Sequence, residues 1–196
     1  MQTATAYKRA QDGFDTVLAK IGADQWDQPS TCAEWTIRDV AGHVIWAQLQ
    51  LRAWATGEEF HSATGFPGSP HPGELTGDDP VATFRDAREK ADATLTDESL
   101  RRMLTLPGLG TLPVAGMVEL LVTDFLAHSW DIGHAAGLDV RLDPELLPGA
   151  LEWSREHLGG SRQPGYFGPP VPVAPDADEQ TKLLAFLGRE PGQHLS

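Results

Sequence analysis

The chain has 196 residues, of which 40% are hydrophobic and 22% charged, a composition that predicts one globular domain with a core of ordinary size. Its formal net charge of −13 would repel the phosphates of nucleic acids and anionic lipid headgroups, so we expect neither as a partner. No stretch approaches 18 consecutive apolar residues and the N-terminus has no apolar leader, which predicts a cytoplasmic protein without a membrane span. A single cysteine excludes an intrachain disulfide framework.

Apolar residues at helical spacing predict six helices. Thr36, followed three residues later by Asp39, predicts a capping box at the start of the second helix, with aspartate in the place that glutamate usually takes. Gly57 and Gly137 predict the ends of the second and fourth helices. The predicted helices cover residues 3–22, 36–55, 80–95, 113–136, 143–158 and 178–187.

Two connections between these helices stand out. Residues 57–78 are rich in glycine, proline, serine and histidine, and a loop of that length is typically mobile or functional. It holds His61 and His71, which could close over a site as a lid. Residues 99–113 predict either a small hairpin around Pro107-Gly108 or an extended connection.

Strand signals are otherwise few, so the sequence predicts an all-α fold. We expect a four-helix bundle with additional C-terminal helices, forming a single domain over residues 1–196. Its core would span about 1–158, and an extension over 159–196 would pack back onto that core.

Three residues with metal-binding chemistry fall at the edges of apolar helix stripes. On a helical wheel, His43 lies at the edge of the stripe of the second helix, and Asp124 and His128 lie together at the edge of the stripe of the fourth helix. Asp124 and His128 are four residues apart, so their side chains are neighbours on one face. Two imidazoles and a carboxylate are ligands of Zn, Fe, Ni or Mn, and they leave coordination positions open for water, substrate or a thiolate.

The alternative is a purely structural role for the same residues. A histidine at a stripe edge is often a boundary residue, and an Asp/His pair at this spacing often forms a helix-stabilising hydrogen bond. The tryptophans near these helices have the same ambiguity, because they fit either core packing or the aromatic wall of a ligand pocket. They are Trp35, Trp46, Trp54 and Trp130.

The remaining candidates give weaker signals. Cys32 has acidic neighbours in sequence, Asp27 and Glu34, which oppose a reactive thiolate, so we interpret it as a buried small residue. His134 is expected on another face than His128, and Ser129 points away from His128. Asp131 and Arg38 are the nearest polar candidates for a general base, and no catalytic residue is assigned. His157 and His194 carry no signal.

Three segments of the sequence carry recognisable motifs. The first comprises Trp26, Pro29, Thr31-Cys32, Trp35 to Val40 and His43, the second Asp124 to His128, Ser129 to Ile132 and Ala135 to Gly137, and the third Leu183 to Pro191. The first two resemble signatures of DinB-like metal-binding proteins, and more closely those of the N-terminal domain of mycothiol-dependent maleylpyruvate isomerases. The third resembles the ending of a short single-domain subgroup of metal-binding proteins.

The resemblance implies an up-down-down-up four-helix bundle with a divalent metal on its inner face. The ligands would be a histidine on the second helix and a carboxylate-x3-histidine pair on a later one, which fall on His43, Asp124 and His128. The isomerases are expected to carry glutamate where Asp124 stands. They are also expected to carry a second domain for which this chain is too short, which argues against maleylpyruvate isomerisation itself.

These residues and the resemblance lead to three hypotheses. The first is a metal-dependent S-transferase or isomerase-like enzyme that uses a small thiol such as mycothiol on an electrophilic substrate, with Zn as the first choice of metal and Ni, Fe or Mn as alternatives. The second is a non-catalytic metal-binding sensor or ligand carrier. The third is a bundle that has lost its metal. A homodimer is left open.

Overall fold

Seven α-helices and one two-stranded sheet form the regular structure of residues 2–106, 110–158 and 167–192, which a computed structural model describes. A 3-10 helix, Pro72–Thr76, lies in the long loop after α2. The elements are α1 (Thr3–Leu18), α2 (Ile37–Thr56), α3 (Pro80–Asp92), α4 (Asp97–Leu100), β1 (Met103–Leu106), β2 (Gly110–Pro113), α5 (Val114–Ala135), α6 (Leu147–Leu158) and α7 (Glu179–Phe186).

Four of the helices form a closed bundle. Helix α1 contacts α5 and α3, and α2 contacts the same two helices, so α1, α3, α2 and α5 surround one core. Aromatic rings join three of these helices at its centre: Phe14 of α1 lies 5.1 Å from Phe84 of α3 and 5.5 Å from Phe125 of α5, centroid to centroid. The predicted all-α class and the helical bundle are confirmed.

The caps predicted for the helices are present. The Thr36 hydroxyl accepts from the Asp39 N–H while the Asp39 carboxylate accepts from the Thr36 N–H, which completes the capping box of α2. Gly57 ends α2 and Gly137 follows α5, both with left-handed backbone angles (φ 77° and 74°) that glycine adopts without steric cost. The sequence therefore located both ends of α2 and the end of α5 to within about a residue.

Three helices are shorter than predicted by three or more residues. Helix α3 ends at Asp92 and not at residue 95. Helix α1 ends at Leu18, after which two 3-10-type bonds tighten the chain before Gly22. Helix α6 begins at Leu147 and not at Asp143. Pro148 has no N–H for the carbonyl four residues before it and its ring would clash there, so proline fits only in the first turn.

Residues 99–113 contain the hairpin that was one of two predicted alternatives. Strands β1 and β2 pair in antiparallel register, with Met103 opposite Pro113 and Leu106 opposite Gly110. The predicted turn at Pro107-Gly108 lies outside the described residues.

The 57–78 loop lies directly against α2. The Gly73 N–H donates to the Asp39 carboxylate at 2.9 Å. A Cβ atom built on Gly42 would come within 2.0 Å of the Pro72 carbonyl oxygen, so only glycine allows the loop backbone to approach the helix this closely. These contacts fix the loop as a wall of the site described below.

The C-terminal segment packs onto the bundle through α6 and α7, which contact each other while α6 contacts α5. Leu183, Leu184 and Leu187 are fully buried, and the Val171 N–H donates to the Ala185 carbonyl. None of the helices in the described ranges combines the length and apolarity that a membrane crossing requires.

Candidate metal centre

One histidine of α2 meets an aspartate and a histidine of α5. His43 Nε2 lies 3.6 Å from Asp124 Oδ2, and His128 Nε2 lies 3.3 Å from Asp124 Oδ1. One donor atom from each of the three residues lies within 4.8 Å of the others, and both histidines are 5% exposed. The contact between α2 and α5 thus brings together the three residues that spacing and resemblance had selected.

Both imidazoles are oriented by a hydrogen bond at the other ring nitrogen. His43 Nδ1 lies 2.6 Å from the Gly65 carbonyl oxygen, and His128 Nδ1 lies 2.9 Å from Asp131 Oδ2. Because a carbonyl and a carboxylate only accept, Nδ1 is the donor in each ring. Each Nε2 therefore faces Asp124, and in a neutral ring it carries the free lone pair.

This donor set fits a divalent transition metal. Imidazole nitrogens and a carboxylate oxygen suit Zn, Fe, Ni and Mn. A bond from the second ring nitrogen to a carbonyl or carboxylate is the usual support of a metal-binding histidine. Three protein ligands would leave at least one coordination position facing the adjoining cleft.

The charges of the cluster are strongly coupled. Burial alone would raise the pKa of Asp124, but the adjacent His128 and His43 hold the pKa of that carboxyl well below its usual range. Burial alone would lower the pKa of His128, but Asp124, and then Asp131, raise it well above its usual range. The two carboxylates thus favour the protonated form of His128, and a metal bound at Nε2 would compete with that proton.

Asp131 is a hydrogen-bond hub behind His128. Its fully buried carboxylate accepts from His128 Nδ1, from Thr31 Oγ1 at 2.5 Å and from Cys32 Sγ at 3.3 Å. Arg189 binds both oxygens, with Nε at 3.2 Å and Nη2 at 2.7 Å. Burial alone would raise the pKa of Asp131, but Arg189 and His128 hold it well below its usual range.

A second group of donors overlaps the first. Cys32, His128 and Asp131 also lie within 4.8 Å of one another. Its histidine would have to use Nδ1, which already donates to Asp131, and its carboxylate is already neutralised by Arg189. We therefore interpret this group as the support of the first cluster.

Cys32 is a protonated thiol in this arrangement. Burial and the nearby Asp131 charge raise the pKa of its thiol, and Sγ donates to that carboxylate. The expectation that Cys32 is not a reactive thiolate agrees with this geometry, but Cys32 is half-buried and not the buried residue that we expected. The cause of the raised pKa is burial and Asp131, and not the sequence neighbours Asp27 and Glu34.

A cleft of about 1070 Å³ opens from the three candidate ligands. Aromatic residues Trp35, Trp130 and Phe167 line it, and the Trp35 indole N–H donates to the Ser69 carbonyl at 3.0 Å, which ties the 57–78 loop to the cleft wall. Two of the four tryptophans singled out in the sequence thus form an aromatic wall. Trp46 instead stacks on His43, with ring centroids 6.0 Å apart.

The other histidines have separate positions. His134 lines the same cleft, contrary to the expected different face, because the cleft extends along α5 past Trp130, on which the His134 ring stacks at 4.4 Å. His71 also lines the cleft, whereas His61 is exposed beside Glu59. His157 stacks on Trp153 in α6, and His194 lies outside the described residues.

Neither candidate for a general base is free to act as one. Arg38 donates to Asp27 and Thr76, and Asp131 is occupied by the four donor residues described above. Ser129 faces a small separate pocket with Arg9 and Leu146, as expected for a residue pointing away from His128.

Sequence reasoning missed Arg189 and Gly65 as parts of the site. Arg189 follows α7 and reaches Asp131 from 58 residues away, and Gly65 contributes only its carbonyl. The available signal was the C-terminal resemblance, which includes Arg189 but assigns it no role.

The fold and the cluster define an all-α bundle protein with a candidate His₂-carboxylate centre. Residues 7–133 match the model of the mycothiol maleylpyruvate isomerase N-terminal domain. The chain belongs to that family.

Two curated relatives match nearly the whole chain. They are the uncharacterized proteins Rv0738 and MT0763 of Mycobacterium tuberculosis, from strains ATCC 25618 / H37Rv and CDC 1551 / Oshkosh. Each is 34% identical over 199 residues, which cover 96% of this chain and 98% of the relative. The similarity therefore extends beyond the family domain into the C-terminal segment.

Two solved structures share the fold. The crystal structure of the mycothiol-dependent maleylpyruvate isomerase matches with a TM-score of 0.57 and 18% identity, over 76% of this chain and 66% of that chain. A histidine-to-alanine mutant of the isomerase matches over the same shares, with a TM-score of 0.54 and 17% identity. This chain thus spans about two thirds of the isomerase, and at these identities the likeness establishes the fold alone.

Proposed function

We propose that this protein is a divalent-metal-dependent enzyme that uses a small thiol of the mycothiol type, as an S-transferase or an isomerase-like enzyme. One observation carries the proposal: two imidazole Nε2 atoms and a carboxylate converge at the inner end of a cleft, and both imidazoles are held by Nδ1 bonds. Membership in a family named for mycothiol supports the choice of thiol.

His43, Asp124 and His128 would hold the metal. The bound ion would lower the pKa of a thiol at its open position, so that the sulfur is a nucleophile near neutral pH. Zn is our first choice, with Ni, Fe and Mn as alternatives, because this ligand set suits all four.

The residues around the proposed ligands would orient the two imidazoles and exclude water from the open coordination position. Gly65 and Asp131 fix the two imidazoles, so the donor atoms need little reorganisation when an ion binds. Trp35, Trp130 and Phe167 would exclude water from the sulfur and present flat apolar surfaces to an electrophile. The cleft volume is sufficient for both a thiol and a second substrate.

The reaction would form a bond between sulfur and an electrophilic carbon. If the carbon belongs to an unsaturated acid, addition followed by elimination returns the thiol unchanged and isomerises the acid. If the carbon carries a leaving group, that group departs with the bonding electron pair and the sulfur stays on the product. Maleylpyruvate is the substrate named for the structural neighbour, and here it is one test compound among unsaturated acids.

The first test is elemental analysis of untagged protein, purified without added metal and again after a zinc soak. We expect about one equivalent of a single transition metal per chain in the wild type and in His157→Ala, and none in His128→Ala. His157 is the matched control because it is an exposed helical histidine outside the cluster. Absence of metal from the wild type in both preparations would overturn the proposal.

The second test is thiol binding to cobalt-substituted protein. A sulfur-to-cobalt charge-transfer band on addition of mycothiol, absent from cobalt-treated His128→Ala, is the expected result. Turnover of an unsaturated acid or an alkylating electrophile would then establish an enzyme. Thiol binding without any turnover would instead indicate the non-catalytic carrier.

A further inference from the structure

Arg189, after α7, is bound to the hub carboxylate of the candidate centre. Its side chain donates to both oxygens of Asp131, and its Nη1 donates to the Leu187 carbonyl at 2.8 Å. The side chains of Arg189 and Asp131 are 11% and 1% exposed. This is a buried bidentate ion pair, an arrangement that fixes both partners in orientation.

The residues around Arg189 fix the position of its backbone and side chain. Gly188 has a φ of 85°, and a Cβ there would lie 2.6 Å from the Gly168 Cα, so the two chain segments can cross this closely only with glycine at position 188. Phe167, beside that crossing, places its ring 5.4 Å from the Arg189 guanidinium carbon. Leu187, immediately before it, is fully buried.

Removal of Arg189 would leave the Asp131 carboxylate without its cationic partner. Asp131 would then be a buried carboxylate beside His128, whose other side already faces Asp124. A buried carboxylate that loses its bidentate partner is no longer fixed in orientation and can turn toward another cation. The second donor group shows where it could move, since Cys32, His128 and Asp131 lie within ligand distance of one another.

We infer that Arg189 is a positioning residue of the metal centre. It holds Asp131 on His128 Nδ1, which keeps His128 Nε2 directed at the ion and keeps Asp131 out of the coordination sphere. This inference rests on the proposed function for the identity of the site. It gives the C-terminal extension a part in building the centre, in addition to its part in the core.

A direct role of Arg189 toward an anionic substrate is the competing explanation, because Arg189 also lines the cleft. The two explanations differ in their dependence on Asp131. A positioning residue acts through Asp131, so its loss should have no further effect once Asp131 is neutral. A substrate-binding residue should retain its effect in that background and should leave metal binding unchanged.

The test uses Arg189→Met, Arg189→Lys, Asp131→Asn and the double variant Asp131→Asn/Arg189→Met. The control is Arg141→Met, which removes an equal charge from an exposed ion pair with Asp139. Circular dichroism and thermal unfolding establish which variants fold. The double variant has no lone buried charge and Arg189→Lys retains the cation, so these two carry the test if Arg189→Met does not fold.

The readouts are the visible spectrum of the Co²⁺-loaded protein and the Zn²⁺ affinity measured against a chelating dye. We expect Arg189→Met to alter the spectrum and to weaken zinc binding about 10–100-fold, the usual effect of losing a group that supports a ligand. Arg189→Lys should lie between it and the wild type, and Arg141→Met should match the wild type. The double variant should match Asp131→Asn alone.

A metal-free readout separates this inference from the proposed function. In the apo protein, the Nδ1 proton of His128 should give a slowly exchanging NMR signal in the wild type and in Arg141→Met. It should be lost in Arg189→Met, or weakened in Arg189→Lys, even if the wild type proves to bind no metal. An unchanged signal, or an added effect of Arg189→Met in the Asp131→Asn background, would overturn the inference.

Discussion

His128 has a carboxylate on each ring nitrogen, Asp124 at Nε2 and Asp131 at Nδ1. The two carboxylates differ in what else they bind. Asp131 is saturated by protein donors, whereas the partners of Asp124 in the described structure are the two candidate ligand histidines. Under the proposed function, Asp124 would therefore be the carboxylate that binds the ion, and Asp131 the one that orients His128.

Substitution of Asp124 tests this assignment. Asp124→Asn keeps the shape but removes the one carboxylate among the three proposed ligands, so we expect zinc affinity to fall by more than about 100-fold, beyond the usual loss for a supporting group. Asp124→Glu restores the charge with one more methylene and should bind zinc more tightly than Asp124→Asn. Competition against a chelating dye measures both, with the exposed Asp139→Asn as control. Wild-type affinity in Asp124→Asn would contradict the assignment.

The sequence predicted the residues of the centre that share a helix face, and not those that meet only in the folded chain. Asp124 and His128 are linked by the helical repeat, and His43 was found at the edge of a stripe. Gly65 contributes a backbone carbonyl, which leaves no trace in residue type. Arg189 and Thr31 reach Asp131 across 58 and 100 residues, and no local pattern encodes such a contact.

At the scale of elements, the packing of the 57–78 loop on α2 depends on Gly42. The Cβ of an alanine there would overlap the Pro72 carbonyl and the Gly73 nitrogen, both of which are backbone atoms. We expect Gly42→Ala to lower the free energy of unfolding by about 1–3 kcal/mol, the usual cost of overpacking. Gly13→Ala is the matched control, because Gly13 lies inside α1 with nothing within 4 Å of its Cβ position.

The control should change stability in the opposite direction. Alanine in an open helical position stabilises by about 0.5–1 kcal/mol relative to glycine. Urea unfolding of the two variants measures both effects. If Gly42→Ala is as stable as Gly13→Ala, the close approach of the loop to α2 is wrong.

The capping box of α2 should make stability depend on pH. The Asp39 carboxylate accepts from the Thr36 N–H and hydroxyl and from the Gly73 N–H. Burial opposes its charge, but these hydrogen bonds hold the pKa of Asp39 below its usual range. Because the carboxyl of the unfolded chain titrates near pH 3.9, the stabilisation is present above that pH and is lost as the pH falls through the lower folded pKa.

We therefore expect Asp39→Asn to lose about 1 kcal/mol of stability at pH 7, as for other caps. The difference from the wild type should shrink as the pH falls below about 4. Urea unfolding at pH 7 and at a series of acidic pH values measures it, with the exposed Asp24→Asn as control. A difference that stays constant with pH would show that the charge of Asp39 does not contribute.

The predicted elements were most accurate where a side chain marks the boundary. Thr36 begins α2 as the side-chain cap that the sequence predicted, and Asp79 and Asp178 cap α3 and α7 by the same local rule. The start of α6 was wrong because Pro148 was given no weight, although it lies inside the predicted helix. The hairpin stayed one of two alternatives because each strand is only four residues long.

At the scale of the whole molecule, metal binding should raise the free energy of unfolding. An ion that binds only the folded chain stabilises it by about 2.7 kcal/mol when its free concentration is 100 times Kd. For a protein of this size, that corresponds to a Tm increase of roughly 5–10 °C. We expect zinc to raise the Tm of the wild type and of His157→Ala by such an amount and to leave His128→Ala unchanged. An equal increase in all three would indicate binding elsewhere.

The net charge of −13 follows directly from the residue counts, and the apolar periodicity correctly predicted the all-α class. No helix in the described ranges is long and apolar enough to cross a membrane, and the expectation that the chain binds neither membranes nor nucleic acids stays a prediction. The cytoplasmic location, the homodimer and the single-domain organisation stay predictions.

The hub at Asp131 joins a loop before α2, the helix α5 and the segment after α7. Contacts across 100 and 58 residues close large chain loops, and they form late because the loop-closure entropy must be met before they contribute. We therefore expect the bundle core to be assembled before the centre. A folding chain would then pass through a stage in which the bundle already brings His43, Asp124 and His128 together but His128 is not yet held by Asp131. Such a stage would bind an ion only weakly, and tight metal capture would report the last step of maturation.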